Sequence, residues 1–175
     1  KDLLYHIIQT SSKLSIFNEI TLKIKKNIKK ILEVDSPIFE LDSSYLIGLP
    51  SSNRITYDFH QESNYWKDFK YDVITVHYPI SKKLTKRNGS MSVLVGSHKL
   101  KTLNFKKPNI KAQHTTSLVP QKIDKYRKEY KEYTFKLNRG DCAFFHKDLI
   151  HRSNLNLTNK IRIAGITRIA QEFKI

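Results

Sequence analysis

The chain has 175 residues, 39% of them hydrophobic and 11% aromatic, with 32 Lys and Arg against 16 Asp and Glu, a formal net charge of +16. That length supports one hydrophobic core and one domain rather than two. Patterned apolar runs exclude a disordered chain, and no run of about 18 apolar residues marks a membrane span.

The charge invites a nucleic-acid reading. However, the lysines are scattered through a chain rich in Lys, Ile and Asn, a composition that A/T-rich codons alone produce. No helix-turn-helix, zinc-finger or RNA-recognition signature accompanies the charge, so a basic nucleic-acid-binding protein ranks third among the readings. The lone cysteine, Cys142, excludes an intrachain disulfide framework and a cysteine-based zinc cluster, and fits a reducing, cytoplasmic setting. The sequence opens at Lys1 without a signal-peptide pattern, which reads as a chain truncated upstream.

In chain order, residues 1–34 predict a helical segment packed on the core. Leu3, Leu4, Ile7 and Ile8, and later Ile20, Ile24, Ile28 and Ile31, fall at helical spacing. Ser11 and Ser12 mark a break, and Ser15 with Glu19 marks a second start. Lys23, Lys25, Lys26, Lys29 and Lys30 read as the solvated face of that helix. Residues 35–175 predict a β domain. Pro37, Asp42-Ser43-Ser44, Gly48 and Pro50 punctuate short apolar runs. Tyr71 to Ile80 and Met91 to Val95 read as strands, the second closed by Gly96. A polar, basic insert follows at about 99–131, with a helical end from Gln121 to Lys131. An insert of this length inside a compact domain is commonly a lid or binding loop. Strands resume at Glu132 to Leu137 and Cys142 to Phe145 around the turn Asn138-Arg139-Gly140-Asp141, and Lys160 to Ile169 is the last. Short strands after a helical start argue for a β-sandwich or barrel with helices outside.

Three pieces carry chemistry. His60 and Glu62, two apart on a strand, point to one face, where an imidazole and a carboxylate can take adjacent sites on one metal. His151, far along the chain, adds a second imidazole. Two His and one carboxylate form the facial triad of non-haem Fe(II) oxygenases, with positions left for an organic co-substrate and O2. His146 is its rival, reading as structural or at a pocket rim. Arg162, in the last strand, offers a planar fork for a carboxylate. Arg168 has the same parity, so alternation does not choose between the two, and spacing from His151 favours Arg162.

The segments TYDFHQESNYW, VITVHYPI, NGSMSVLVGSHK, GDCAFFHKDLIHRSNLN and KIRIAGITR, in that order, resemble the phytanoyl-CoA dioxygenase family of Fe(II)- and 2-oxoglutarate-dependent oxygenases over about 54–168. The resemblance implies a mainly β fold with flanking helices, a double-stranded β-helix (jelly roll, cupin-like). It implies His60, Glu62 and His151 as iron ligands, with Arg162 and Ser153 on the distal carboxylate of 2-oxoglutarate and His77 and Thr75 lining its pocket. Gln61, Tyr57, Trp66, His98 and His146 fall where the substrate pocket is expected. Asn88-Gly89-Ser90 and Gly96-Ser97-His98 match the family's turn and its Gly-Ser-His signature. Glu62 departs from the usual Asp by one methylene. A carboxylate there argues for hydroxylation rather than halogenation, which needs that site vacant. The activity implied is oxidation of a small-molecule substrate by O2 with release of succinate and CO2. The lysines of the insert favour an anionic metabolite. The second reading is a jelly-roll binding protein without turnover.

Overall fold

The computed structural model describes residues 15–32, 38–48, 50, 57–66, 71–80, 83–106 and 118–171. The first helical run expected from Leu3 to Ile8 lies outside them.

Helix α1 (Ser15–Leu32) begins where the Ser15 signal places it. Ile28 is buried and Ile20 and Ile24 are partly buried, one helical face. Lys23, Lys26, Lys29 and Lys30 are exposed and Lys25 is half-buried, so the basic cluster is the outer face.

Among the described residues seven strands follow: β1 (Ile38–Gly48), β2 (Asp72–Pro79), β3 (Met91–Leu94), β4 (Glu132–Thr134), β5 (Ala143–His146), β6 (His151–Ser153) and β7 (Arg162–Gln171). They form two antiparallel sheets, one ordered β1-β7-β2-β5 and one β4-β3-β6. His60 adds a single antiparallel bridge to His151 and thereby extends the smaller sheet past β6. A short helix, α2 (Ile123–Glu129), sits at the end of the insert, as its sequence predicted.

Register sorts the residues of the larger sheet. Residues directly opposite in an antiparallel pair share a face. Thr75 lies opposite Arg168 and Phe145, and His77 opposite Ile166 and Ala143. Thr75, His77, Phe145, Arg162, Ile166 and Arg168 therefore face the smaller sheet. The inner core joins the sheets through Met91 and Val93 of β3, Phe145 of β5 and Leu149. On the outer face, α1 covers Val76, Tyr78 and Ile169. Tyr78 lies flat across Gly165, where an added Cβ would fall 2.1 Å from its ring.

One expectation is corrected. Asp42-Ser43-Ser44 was read as punctuation, yet these residues lie inside β1, paired with Thr167 and its neighbours. The ladder with β7 overrides their weak strand propensity, and a bulge between Glu40 and Asp42 takes up the irregularity. The strands on either side of the Asn138–Asp141 turn do not pair with each other. Instead β4 joins β3 and β5 joins β2, so the turn carries the chain from one sheet to the other.

The insert closes at its neck. Lys106 N–H donates to Val119 O at 2.8 Å, and Gln121 N–H to Asn104 O at 3.0 Å. Beneath the neck, Leu100, Leu103, Val119, Tyr126 and Tyr130 pack on Phe59, Leu94, Ile123 and Ile150. The base of the insert is thus part of the core.

Candidate metal centre

His60 and His151 exchange both backbone hydrogen bonds, His60 N–H to His151 O at 2.9 Å and His151 N–H to His60 O at 3.0 Å. A pair bonded in this way places both side chains on one face, and the ring centroids are 4.2 Å apart. Glu62 was expected on the same strand. The extended backbone instead ends at Gln61, and Glu62 begins a 3-10 turn (Glu62–Tyr65). The turn folds the carboxylate back over the imidazoles, with Oε1 at 3.4 Å from His151 Nε2 and 3.8 Å from His60 Nε2. All three side chains are buried, and one ligand atom from each lies within 4.8 Å of the others.

Backbone carbonyls set the tautomers. His60 Nδ1 lies 2.7 Å from Asp58 O, and His151 Nδ1 lies 2.9 Å from Leu149 O. A carbonyl only accepts, so each Nδ1 carries a proton and each ring turns its Nε2 towards Glu62. Burial and the neighbouring His60 hold the His151 pKa below its ordinary value. A lone pair facing a carboxylate oxygen is repulsive unless a cation or a proton lies between them. Two imidazole nitrogens and one carboxylate oxygen suit Fe(II), so the donor set fits that metal.

Arg168 holds the third ligand. Its Nε donates to Glu62 Oε2 at 3.1 Å and its Nη2 to Oε1 at 3.2 Å. Burial pushes the Glu62 carboxyl up, but the Arg168 charge together with the contacts to His151 and His60 outweighs it, and the net pKa lies well below the ordinary range. The guanidinium also stands 5.6 Å from the Trp66 ring centroid. The sequence treated Arg168 only as the alternative to Arg162. Equal parity on one strand was the signal that both point inward.

Arg162 is buried among backbone. Its Nη2 donates to Gly89 O at 2.9 Å. A Cβ at Gly48 would come within 2.9 Å of the guanidinium, and one at Gly89, whose φ is +86°, would meet Asn154 O at 2.9 Å. Two glycines thus make the cradle. Burial lowers the Arg162 pKa to about 10, still fully charged at neutral pH. Burial and the charges of Arg162 and His151 lower the His77 pKa to about 3. Neither His77 ring nitrogen makes a well-formed hydrogen bond, and Thr75 Oγ1, on the same face, has no partner among the described residues. Ser153, two after His151 on β6, shares its facing and is half-buried. The unsatisfied ring nitrogens of His77 and the cradled charge of Arg162 fit an anionic co-substrate with further oxygens.

The expected pocket residues divide. Trp66 lines a cavity beside the 3-10 turn. Tyr57 stands with its ring 5.9 Å from that of His60. Gln61 is spent on the fold: its Nε2 donates to Lys101 O and Asp148 O, and its Oε1 accepts from Leu103 N–H, so a fully buried amide clamps the insert to the loop before β6. That corrects its assignment to the substrate pocket. His146 does not join the triad. Its Nε2 pairs with Asp72 at 3.1 Å and its Nδ1 accepts from Asp148 N–H at 3.2 Å, on the outward face of β5. His98 is exposed, its ring 6.4 Å from that of His146. The Gly-Ser-His segment has a structural role through Ser97, whose Oγ accepts from Ile150 N–H just before β6.

The sequence model described as phytanoyl-CoA dioxygenase (PhyH) matches residues 21–164. A Caenorhabditis elegans protein named probable phytanoyl-CoA dioxygenase is 28% identical over 117 residues, 66% of this chain and 37% of its own length. Among solved structures, the epimerase SnoN in complex with Fe3+, alpha ketoglutarate and nogalamycin RO superposes with a TM-score of 0.61 at 16% identity, over 77% of this chain and 50% of SnoN. EvdO2 from Micromonospora carbonacea var. aurantiaca, complexed with 2-oxoglutarate, gives 0.58 at 15% identity over 77% and 52%. AviO1 from Streptomyces viridochromogenes Tue57 gives 0.57 at 16% identity over 78% and 52%. These likenesses show the fold, the double-stranded β-helix that the resemblance implied. The chain spans about half the length of these structures and 37% of the nematode protein.

Proposed function

The chain belongs to the phytanoyl-CoA dioxygenase family, and from that premise we propose that it is an Fe(II)- and 2-oxoglutarate-dependent oxygenase that hydroxylates a small molecule. The observation that carries this reading is the pair of Nε2 atoms that carbonyl-bound Nδ1 protons turn towards Glu62 Oε1.

His60 and His151 would hold iron through Nε2, and Glu62 through Oε1. Arg168 keeps Oε2 engaged and the carboxylate charged. Arg162, in its glycine cradle, would take the distal carboxylate of 2-oxoglutarate by a charge-assisted fork, with Ser153 as a second donor. Thr75 Oγ1 and the neutral His77 ring line the same inner face and supply hydrogen-bonding groups to that co-substrate. Iron held there would supply the chemistry to oxidise a C–H bond with O2 and 2-oxoglutarate, which leaves as succinate and CO2. The chain contributes orientation, dry walls and a fixed charge pattern. Helix α1 covers the outer face of the larger sheet.

The test is incubation with Fe(II), 2-oxoglutarate and O2, with succinate as the readout. Succinate formed by the wild type and absent with His151→Ala supports the reading. No Fe(II)-dependent binding of 2-oxoglutarate overturns it. One observation favours the second reading, a jelly-roll binder without turnover: Arg168 engages both oxygens of Glu62. Under that reading Arg168→Leu would bind Fe(II) more tightly than the wild type.

A further inference from the structure

Gln61 lies between His60 and Glu62 and is fully buried. It stands where the extended backbone ends, at φ −119° and ψ 139°, directly before the turn that carries Glu62. Its side chain reaches two other parts of the chain. Nε2 donates to Asp148 O at 2.6 Å, in the loop that leads into His151, and to Lys101 O at 2.8 Å. Oε1 accepts from Leu103 N–H at 2.9 Å. One amide therefore joins the His60–Glu62 segment, the approach to His151 and the start of the insert.

A second tie runs beside the first. Thr102 Oγ1 donates to Asp148 Oδ1 at 3.1 Å, and Ser63 N–H donates to Lys147 O at 3.2 Å. Lys101, Thr102 and Leu103 thus each bond to Gln61 or Asp148. Lys101 shows what this fastening does to the backbone. At φ +58° and ψ −165° it occupies a region that residues with a side chain rarely adopt. Such strain persists only where surrounding bonds hold it. Here Gln61 holds the Lys101 carbonyl, and the Lys101 N–H donates to His98 O at 3.1 Å.

We infer that Gln61 is a positioning residue that couples the insert to the metal centre: the docked insert fixes the triad, and a metal on the triad fixes the docked insert. The inference rests on the oxygenase reading for the metal. Its physical reason is shared geometry. A shift of the Gln61 backbone moves His60 and Glu62 and also pulls on Lys101 and Leu103, because a fully buried amide cannot give up its partners without cost. Two sites that share one such element are linked in both directions. Helix α1 packs elsewhere, on Val76, Tyr78 and Ile169, and serves as the internal control.

Hydrogen exchange under anaerobic conditions, with and without Fe(II) alone, tests the coupling. The neck amides of Lys106 and Gln121, bonded to Val119 O and Asn104 O, report on docking. Fe(II) should slow their exchange at least about tenfold more than it slows exchange in α1. Gln61→Met keeps the length and removes three bonds. The excess slowing should vanish, and the Fe(II) dissociation constant, read by calorimetry, should rise by about the same factor. A residue that only packs the core would lower the melting temperature and leave the excess slowing in place. Thr102→Val, at an exposed residue outside the ligand set, should cut the slowing about threefold, the loss of one hydrogen bond. It keeps the test open if Gln61→Met fails to fold. Equal slowing in the neck and α1 overturns the coupling, as does an excess that no folded variant reduces. A wild type that does not bind Fe(II) overturns the oxygenase reading and the coupling with it. Fe(II) binding without excess slowing removes the coupling alone and leaves that reading standing.

Discussion

Arg168 grips both carboxylate oxygens of Glu62, Nε to Oε2 at 3.1 Å and Nη2 to Oε1 at 3.2 Å, from the far end of the strand that also carries Arg162. Six residues of strand separate the two arginines by about 20 Å. One end of β7 thus serves the triad and the other the glycine cradle.

Removal of Arg168 leaves a buried carboxylate uncompensated. Arg168→Ala should lower stability by about 3–5 kcal/mol, as for other broken buried pairs, and weaken Fe(II) binding about 10- to 100-fold. Thermal melts with and without metal check both. A melting temperature that metal restores to the wild-type value would place the whole effect at the triad.

Arg162→Gln should raise the 2-oxoglutarate dissociation constant at least about tenfold, because a charge-assisted fork is lost, and leave the Fe(II) affinity unchanged. Titration of each ligand separately reads the split. Equal loss of both affinities would mean that the cradle has collapsed.

Glu62→Gln keeps the shape and removes the charge that faces two imidazole Nε2 atoms. Metal affinity should fall by at least about tenfold, measured by calorimetry with Fe(II) under anaerobic conditions. Unchanged affinity would remove Glu62 from the ligand set.

His77 links stability to pH. Its folded pKa, about 3, lies below the ordinary 6.5 because burial and the nearby Arg162 and His151 disfavour the charged ring. A depressed pKa means that the unfolded chain binds the proton first. The stabilisation from a neutral His77 is therefore complete above pH 6.5 and lost progressively as pH falls towards 3. His77→Gln should flatten the melting temperature across that window. Parallel wild-type and variant curves would contradict this.

Gly165→Ala should destabilise by about 1–3 kcal/mol, since its methyl group would overlap the Tyr78 ring. Tyr78→Leu should recover part of the loss in the double variant, and denaturant unfolding of the four proteins gives the coupling. Additive losses would show that the ring and the glycine do not meet.

Much of this molecule was legible in the sequence, because local rules govern it. The period of 3.6 marked α1, β-branched runs marked β2, β3 and β7, and Gly96 marked the end of β3, with its φ of +85°. The side-chain period of two put Arg162 and Arg168 on one face, and an order of motifs across the chain named the family. What residue order leaves open is which segments meet. Only the tertiary structure made Asp42-Ser43-Ser44 part of a strand, through its ladder with β7, and sent β4 and β5 to different sheets. It turned Glu62 out of the strand so that the carboxylate closes over His60 and His151. It also spent the Gln61 amide on three backbone groups and gave Arg168 to Glu62. These choices depend on partners far along the chain, and burial, which makes an unpaired charge or amide costly, decides them.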